Sequence, residues 1–142
     1  MNFSVFQTTS DWARQAGLTV SGGEVVTSTH ELAKANAFQE KEALALYCAD
    51  HQTKGRGRGS HIWTDGDHGR CLLSSWSFQL KTAPQPVLAP ALGLGIFKAA
   101  MGTWLGLPFS LKAPNDLFLR DRKVAGMLVE NVQEGNRHRL IV

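Results

Sequence analysis

Lys112-Ala113-Pro114-Asn115-Asp116-Leu117, followed by Arg122-Lys123-Val124-Ala125-Gly126-Met127-Leu128-Val129-Glu130, is the stretch on which the reading of this chain turns. Two short apolar runs flank a polar turn, and a second lysine follows within one hairpin's length. Pro114 biases Ala113 towards an extended backbone. Asn115 and Asp116 are residues that close a turn by bonding local backbone. The same groups could hold a nucleotide phosphate, a metal ion or a small carboxylate. Asp116 is the only carboxylate at the centre of the turn. It could bind a metal or orient a lysine amine. Gly126, inside an apolar strand, predicts a bulge or a ligand lying against the backbone.

Upstream, Gly55-Arg56-Gly57-Arg58-Gly59 is suited to anions. Glycines let successive backbone N–H groups converge. Arginines add permanently charged planar forks. Trp63 can stack on a ring. Taken alone, the segment equally fits a solvated loop or non-specific contact with RNA. It sits in a polar, glycine-rich stretch from Asp50 to Gly69. A loop of that length in a compact domain is uncommon and is usually functional or disordered.

The remaining chain interleaves helices and strands. Residues 1–22 are weakly patterned and close on Ser21-Gly22-Gly23, a loop signal. Residues 24–27 predict a strand. Ser28-Thr29-His30-Glu31 fits a capping box, so a helix is expected to about Phe38. Ala43–Ala49 and Cys71–Leu80 have strand character, and Val87–Leu105 has helical spacing. Strands are expected at 109–111, 117–119, 123–131 and 137–142, the last of them as an exposed edge. The class expected is α+β: a mixed, largely antiparallel sheet with helices packed on one face.

Bulk properties bound the function. The 142 residues make one domain's worth of chain, with 15 Lys and Arg against 12 Asp and Glu. A net charge of +3 does not call for nucleic acid. Cys48 and Cys71 show no metal or redox spacing and read as reduced thiols, which suits a cytoplasmic setting. There is no apolar run long enough for a membrane span and no secretory signal. His51, His61 and His68 lie near Asp65 and Asp67 without the spacing of a zinc site.

Together these motifs resemble the catalytic domain of biotin protein ligases (biotin–acetyl-CoA-carboxylase ligases). Ser28-Thr29 with Ala33 is similar to the family's Ser-Thr-Asn segment. Gln52 to Arg58 with Trp63 resembles its Gln-x-x-Gly-Arg-Gly-Arg loop. Lys112-x-Pro114-Asn115-Asp116 with Arg122-Lys123-x-Ala125-Gly126-x-Leu128-Val129-Glu130 resembles its most specific signature. The resemblance covers roughly 24–142, leaving 1–23 as an N-terminal extension and 24–142 as a partial catalytic domain.

The resemblance implies a two-step reaction. Biotin and ATP form biotinyl-AMP with Mg²⁺ present, and the biotinyl group then passes to a lysine of a biotin carboxyl carrier protein or domain. It puts Ser28, Thr29, Gln52, Gly55, Arg56, Gly57, Arg58 and Lys123 at biotin. Arg58, Trp63, Lys112, Asn115 and Asp116 fall on the nucleotide side. Lys123, Arg58 and Asp116 would be catalytic, with Asp116 also the metal-binding candidate. The segment 50–69 would fold over the adenylate.

The chain departs from the pattern at several places. Ala113 stands where an aromatic is usual, His30 replaces an asparagine, and His61 stands where an arginine is common. The family's asparagine after the tryptophan is replaced near Arg70. The Gly-x-Gly-x-Asn segment, the small C-terminal domain and a helix-turn-helix domain are not among these residues. A lipoate or octanoate ligase-like enzyme, or a truncated module that only binds biotin or nucleic acid, are the alternatives. Pairing of two chains is left open.

Overall fold

The structure, a computed structural model, describes residues 4–142. Its chain order is α1 (Val5–Gln15), β1 (Thr19–Val26), α2 (Thr29–Ala35), β2 (Leu44–Gln52), β3 (Leu73–Leu80), α3 (Leu88–Thr103), β4 (Phe109–Lys112), β5 (Asp116–Leu119), β6 (Arg122–Gly126), β7 (Glu130–Glu134) and β8 (Arg137–Ile141). The chain forms two compact units. One is the residues up to Ala83 with Glu130–Val142; the other is Pro84–Val129.

The first unit is built on a five-stranded sheet in the order β1-β2-β3-β8-β7. Only β1 and β2 run parallel; the other pairs are antiparallel. The α+β class and the largely antiparallel sheet are therefore as expected. The helices differ from expectation, because they cover both faces. Side chains alternate across a strand. Ala45 and Tyr47 of β2 cluster with Ala33 of α2 and Ile141. Leu46 and Cys48, facing the other way, cluster with Ala13 of α1.

Several element boundaries also move. Residues 5–15 form a helix, capped by Ser4, whose hydroxyl accepts from the Gln7 N–H at 3.2 Å. Ser21-Gly22-Gly23 is strand, not loop. Gly22 lies opposite Cys48 with φ +125°, and a Cβ there would stand 1.9 Å from the Cys48 carbonyl oxygen. Glycine serves a close strand approach here, not a turn. The serine half of the capping box forms: the Ser28 hydroxyl accepts from the Glu31 N–H at 3.4 Å, while the Glu31 carboxylate turns to Arg56 and Lys34, and α2 ends at Ala35. The final strand is not an edge. β8 lies between β3 and β7, with Leu140 and Ile141 buried. Arg139, also buried, donates to Ser77 Oγ at 2.7 Å and to the Glu40 and Glu42 carbonyls, fastening the segment after α2 to β8.

The second unit is α3 with a three-stranded antiparallel sheet, β4-β5-β6. The strand expected over 123–131 is two strands: β6 ends at Gly126 in this sheet, and β7 begins at Glu130 in the other. Gly93 of α3 is buried. A Cβ there would stand 2.6 Å from the Pro114 carbonyl oxygen, so glycine lets the helix lie against the turn.

Candidate active site

The residues singled out by sequence fall into two sets, one in each unit.

In the first unit the set gathers at the start of α2. Gln52, the last residue of β2, turns its amide oxygen to Thr29. Oε1 accepts from the Thr29 N–H at 2.7 Å and from Thr29 Oγ1 at 3.1 Å. Thr29 Oγ1 also lies 3.0 Å from Ser75 Oγ on β3. Ser28 and Thr29 are buried. The N-terminal N–H groups of a helix need outside acceptors, and Gln52 and Ser28 supply two of them.

The Gly–Arg segment is a small hairpin. Trp63 N–H donates to the Gly55 carbonyl at 3.0 Å, Gly57 N–H to the His61 carbonyl at 2.9 Å, and His61 N–H to the Arg58 carbonyl at 3.1 Å. Arg56 and Ile62 bridge across it. A Cβ on Gly55 would come within 2.6 Å of the Trp63 carbonyl oxygen, so the hairpin base closes only over glycine. Arg58 lies exposed at the turn. Arg56 is engaged by Glu31 of α2.

Three partners in this set were not legible from sequence. Asp65 Oδ2 accepts from the Gln52 N–H at 3.0 Å and lies 2.7 Å from His51 Nδ1. Burial pushes the Asp65 carboxyl up, but hydrogen bonds from the Gln52 and Asp65 N–H groups and from His51 outweigh it and hold the group below its ordinary value. Ser75 is the second. The third is Glu130, 2.7 Å from His30 Nε2 and 3.1 Å from Lys34 Nζ. Burial lowers the His30 pKa against the opposing pull of Glu130. For Glu130, burial acts upward, yet Lys34 and His30 prevail and its pKa is lowered.

In the second unit, Lys112 ends β4 and Asp116 begins β5, directly opposite one another. The Ala113–Pro114 bond between them is cis. Asn115 Nδ2 donates to the Met127 carbonyl at 2.8 Å, and its own carbonyl accepts from the Met127 N–H at 2.9 Å. Asn115 thus ties the turn to the end of β6.

Lys123 Nζ lies 2.8 Å from Asp116 Oδ1. A bulge makes this pairing possible. Leu117 pairs with Ala125 but Phe118 with Lys123, so Val124 is the extra residue. In an unbroken register Lys123 would stand opposite Leu119 and point to the other face. The bulge turns it to the face of Asp116 and Phe118. Lys112 shares that face, with Nζ 6.0 Å from the Phe118 ring centre. The sequence suggested a bulge at Gly126; it falls two residues earlier.

Among the described residues no group of three or more His, Cys, Asp or Glu is placed to hold a metal ion. The His51 and His68 rings lie 4.7 Å apart, tilted to one another, and pair with Asp65 and Asp50 instead. A cleft of the first unit, about 490 Å³, lies beyond the C-terminal end of α2, lined by Phe38, Gln79, Arg137 and Arg139 among others. It contains none of the candidate residues. The hydrogen-bonded set at the start of α2 lies outside this cleft.

A helix start, a glycine–arginine hairpin and a lysine–aspartate strand pair are groups able to hold anions. The sequence model described as "Biotin/lipoate A/B protein ligase family" matches residues 22–142, and the chain belongs to that family. The chain is similar to several biotin–protein ligases. It is 33% identical over 128 residues to the bifunctional ligase/repressor BirA of Bacillus subtilis, covering 84% of this chain and 37% of that protein. To BirA of Escherichia coli it is 39% identical over 83 residues, 58% of this chain and 26% of that one. Among solved structures, the biotin protein ligase of Aquifex aeolicus in complex with biotin and ATP superposes with TM-score 0.62 and 28% identity, covering 87% of this chain and 50% of that chain. The biotin acetyl coenzyme A carboxylase synthetase of Helicobacter pylori, with bound biotinylated ATP, gives 0.61 and 27%, covering 87% and 59%. The chain thus spans about a third of the curated relatives' length and just over half of the solved chains.

Proposed function

We propose that this chain carries the substrate-activating part of a biotin protein ligase. It binds biotin and ATP, joins them as biotinyl-AMP, and serves the transfer of the biotinyl group to a lysine of a biotin carboxyl carrier domain. The observation that carries the reading is the pairing of Lys123 with Asp116 on a face that only a bulge makes available.

The residue chemistry supports each step. A biotin carboxylate oxygen attacks the α-phosphorus of ATP, and the bond to pyrophosphate breaks. Two anions approach one another, so fixed cations lower the barrier by offsetting charge in the transition state. Lys123 is suited to meet the biotin carboxylate and Arg58 to retain the adenylate. Ser28, Thr29, Gln52 and the Gly55–Arg58 backbone supply donors and acceptors for biotin. Trp63, Lys112 and Asn115 are assigned to the nucleotide. In the second step the acceptor amine attacks the acyl carbon and AMP leaves. Asp116 is suited to orient that amine.

Mg²⁺, where bound, would neutralise phosphate charge. It usually binds through substrate phosphates with one or two carboxylates. Asp116 is the one carboxylate assigned here, and it already faces Lys123.

The test is thermal melting with added biotin and, separately, lipoate. A ligand raises the midpoint only if the native state binds it, the gain in stability being about 2.7 kcal/mol at a hundredfold excess over Kd. The reading predicts a rise with biotin and none with lipoate. A rise with lipoate alone would move the assignment to the other branch of the family.

A further inference from the structure

We propose that Asp65 is a positioning residue that sets Gln52, and through it Thr29, in the geometry that receives biotin. The inference rests on the biotin reading of that site.

Asp65 lies thirteen residues beyond Gln52, past the Gly–Arg hairpin. A single oxygen, Oδ2, takes both the Gln52 N–H at 3.0 Å and His51 Nδ1 at 2.7 Å, and the side chain is only 6% exposed. The last two residues of β2 are therefore held by one carboxylate from the far side of the hairpin. Gln52 then spends its own Oε1 on the Thr29 N–H at 2.7 Å and Thr29 Oγ1 at 3.1 Å, and Ser75 completes the chain at 3.0 Å. Asp65, Gln52, Thr29 and Ser75 thus form one hydrogen-bonded line from a loop through two strands to a helix start. Removing the carboxylate leaves the Gln52 N–H without its acceptor at a part-buried site, which frees the strand end to shift. The assigned biotin position that Asp65 touches is Gln52. It acts through Gln52.

Amide hydrogen exchange in the native chain and in Asp65→Ala, Asp65→Asn and Gln52→Ala tests this without any ligand. Backbone groups in one cooperative unit open together. The Thr29 and Gln52 amides are expected to exchange within about tenfold of each other in the native chain. Both should accelerate at least about tenfold in Asp65→Ala. Asp65→Asn keeps an oxygen acceptor in place and should restore slow exchange. Native rates that differ by far more than tenfold, or an unchanged Thr29 rate in Asp65→Ala, would overturn the proposal.

A biotin titration separates this inference from the function it rests on. Asp65→Ala should weaken biotin about tenfold with ATP affinity unchanged. Gln52→Ala/Asp65→Ala should bind no more weakly than Gln52→Ala alone, since coupled residues do not add. Native chain that shows the exchange pattern yet binds no biotin keeps Asp65 as the residue that sets Gln52 and removes the biotin reading. Native chain that binds biotin while Asp65→Ala binds it equally well removes the positioning role and leaves the biotin reading.

Discussion

Gly55 shows how much one residue can decide. The hairpin closes through Trp63 onto the Gly55 carbonyl, and a methyl group would stand 2.6 Å from the Trp63 carbonyl oxygen. Gly55→Ala is expected to cost about 1–3 kcal/mol by forced backbone movement, read as a lower urea midpoint with an unchanged slope. His30 makes a different kind of prediction. Burial lowers its pKa from 6.5, against the raising effect of Glu130. A depressed histidine favours folding while neutral. Its contribution is complete above pH 6.5 and is lost as pH falls through the lowered folded value. Glu130, lowered from 4.5, adds a second loss in the more acid range. Stability should therefore decline below pH 6.5 and again below 4.5. Glu130→Gln should push His30 lower still, as followed by its imidazole proton shifts. A higher His30 pKa in that variant would contradict the assigned balance.

At the scale of elements, what the sequence disclosed was local. The Ser28–Glu31 cap, β2, β3, α3 and the hairpin ends of 109–119 follow from patterns within a few residues. What stayed hidden depended on distance or on small side chains. Helix α1 buries Ser10 and Ala13, which leave almost no apolar period to read. Gly22 looks like a turn residue until its strand neighbour Cys48 is known. Asp65, Ser75 and Glu130 meet partners 13, 46 and 100 residues away. Among the site residues, Thr29, Gln52 and Gly55 stand together, as do Asn115, Asp116 and Lys123. The motifs gave the names of those residues, whereas the Val124 bulge that aims Lys123 leaves no trace in composition. Deleting Val124 should make the register regular, with Leu117 opposite Ala125 and Phe118 opposite Lys123, and so leave Lys123 on the face of Asp116. Pyrophosphate release should then stay within about tenfold of the native rate, since the reacting group keeps its face. A loss of about a hundredfold would show that the face of Lys123 alone does not set its place in the reaction.

At the scale of the whole molecule, the two units bring different chemistry to one proposed reaction. The first holds a helix start and an arginine hairpin, the second a lysine–aspartate pair. Both belong to a family whose relatives extend well beyond these residues. Arg58→Gly should let the adenylate escape, so that bystander lysines become biotinylated; labelling confined to the acceptor would remove that role from Arg58. The most direct test of the central claim is the release of pyrophosphate by the purified chain with biotin, ATP and Mg²⁺, beside Lys123→Ala at matched folding. The account predicts biotin-dependent release by the native chain and none above background by Lys123→Ala. Equal release by the two proteins, or none by either, would contradict it.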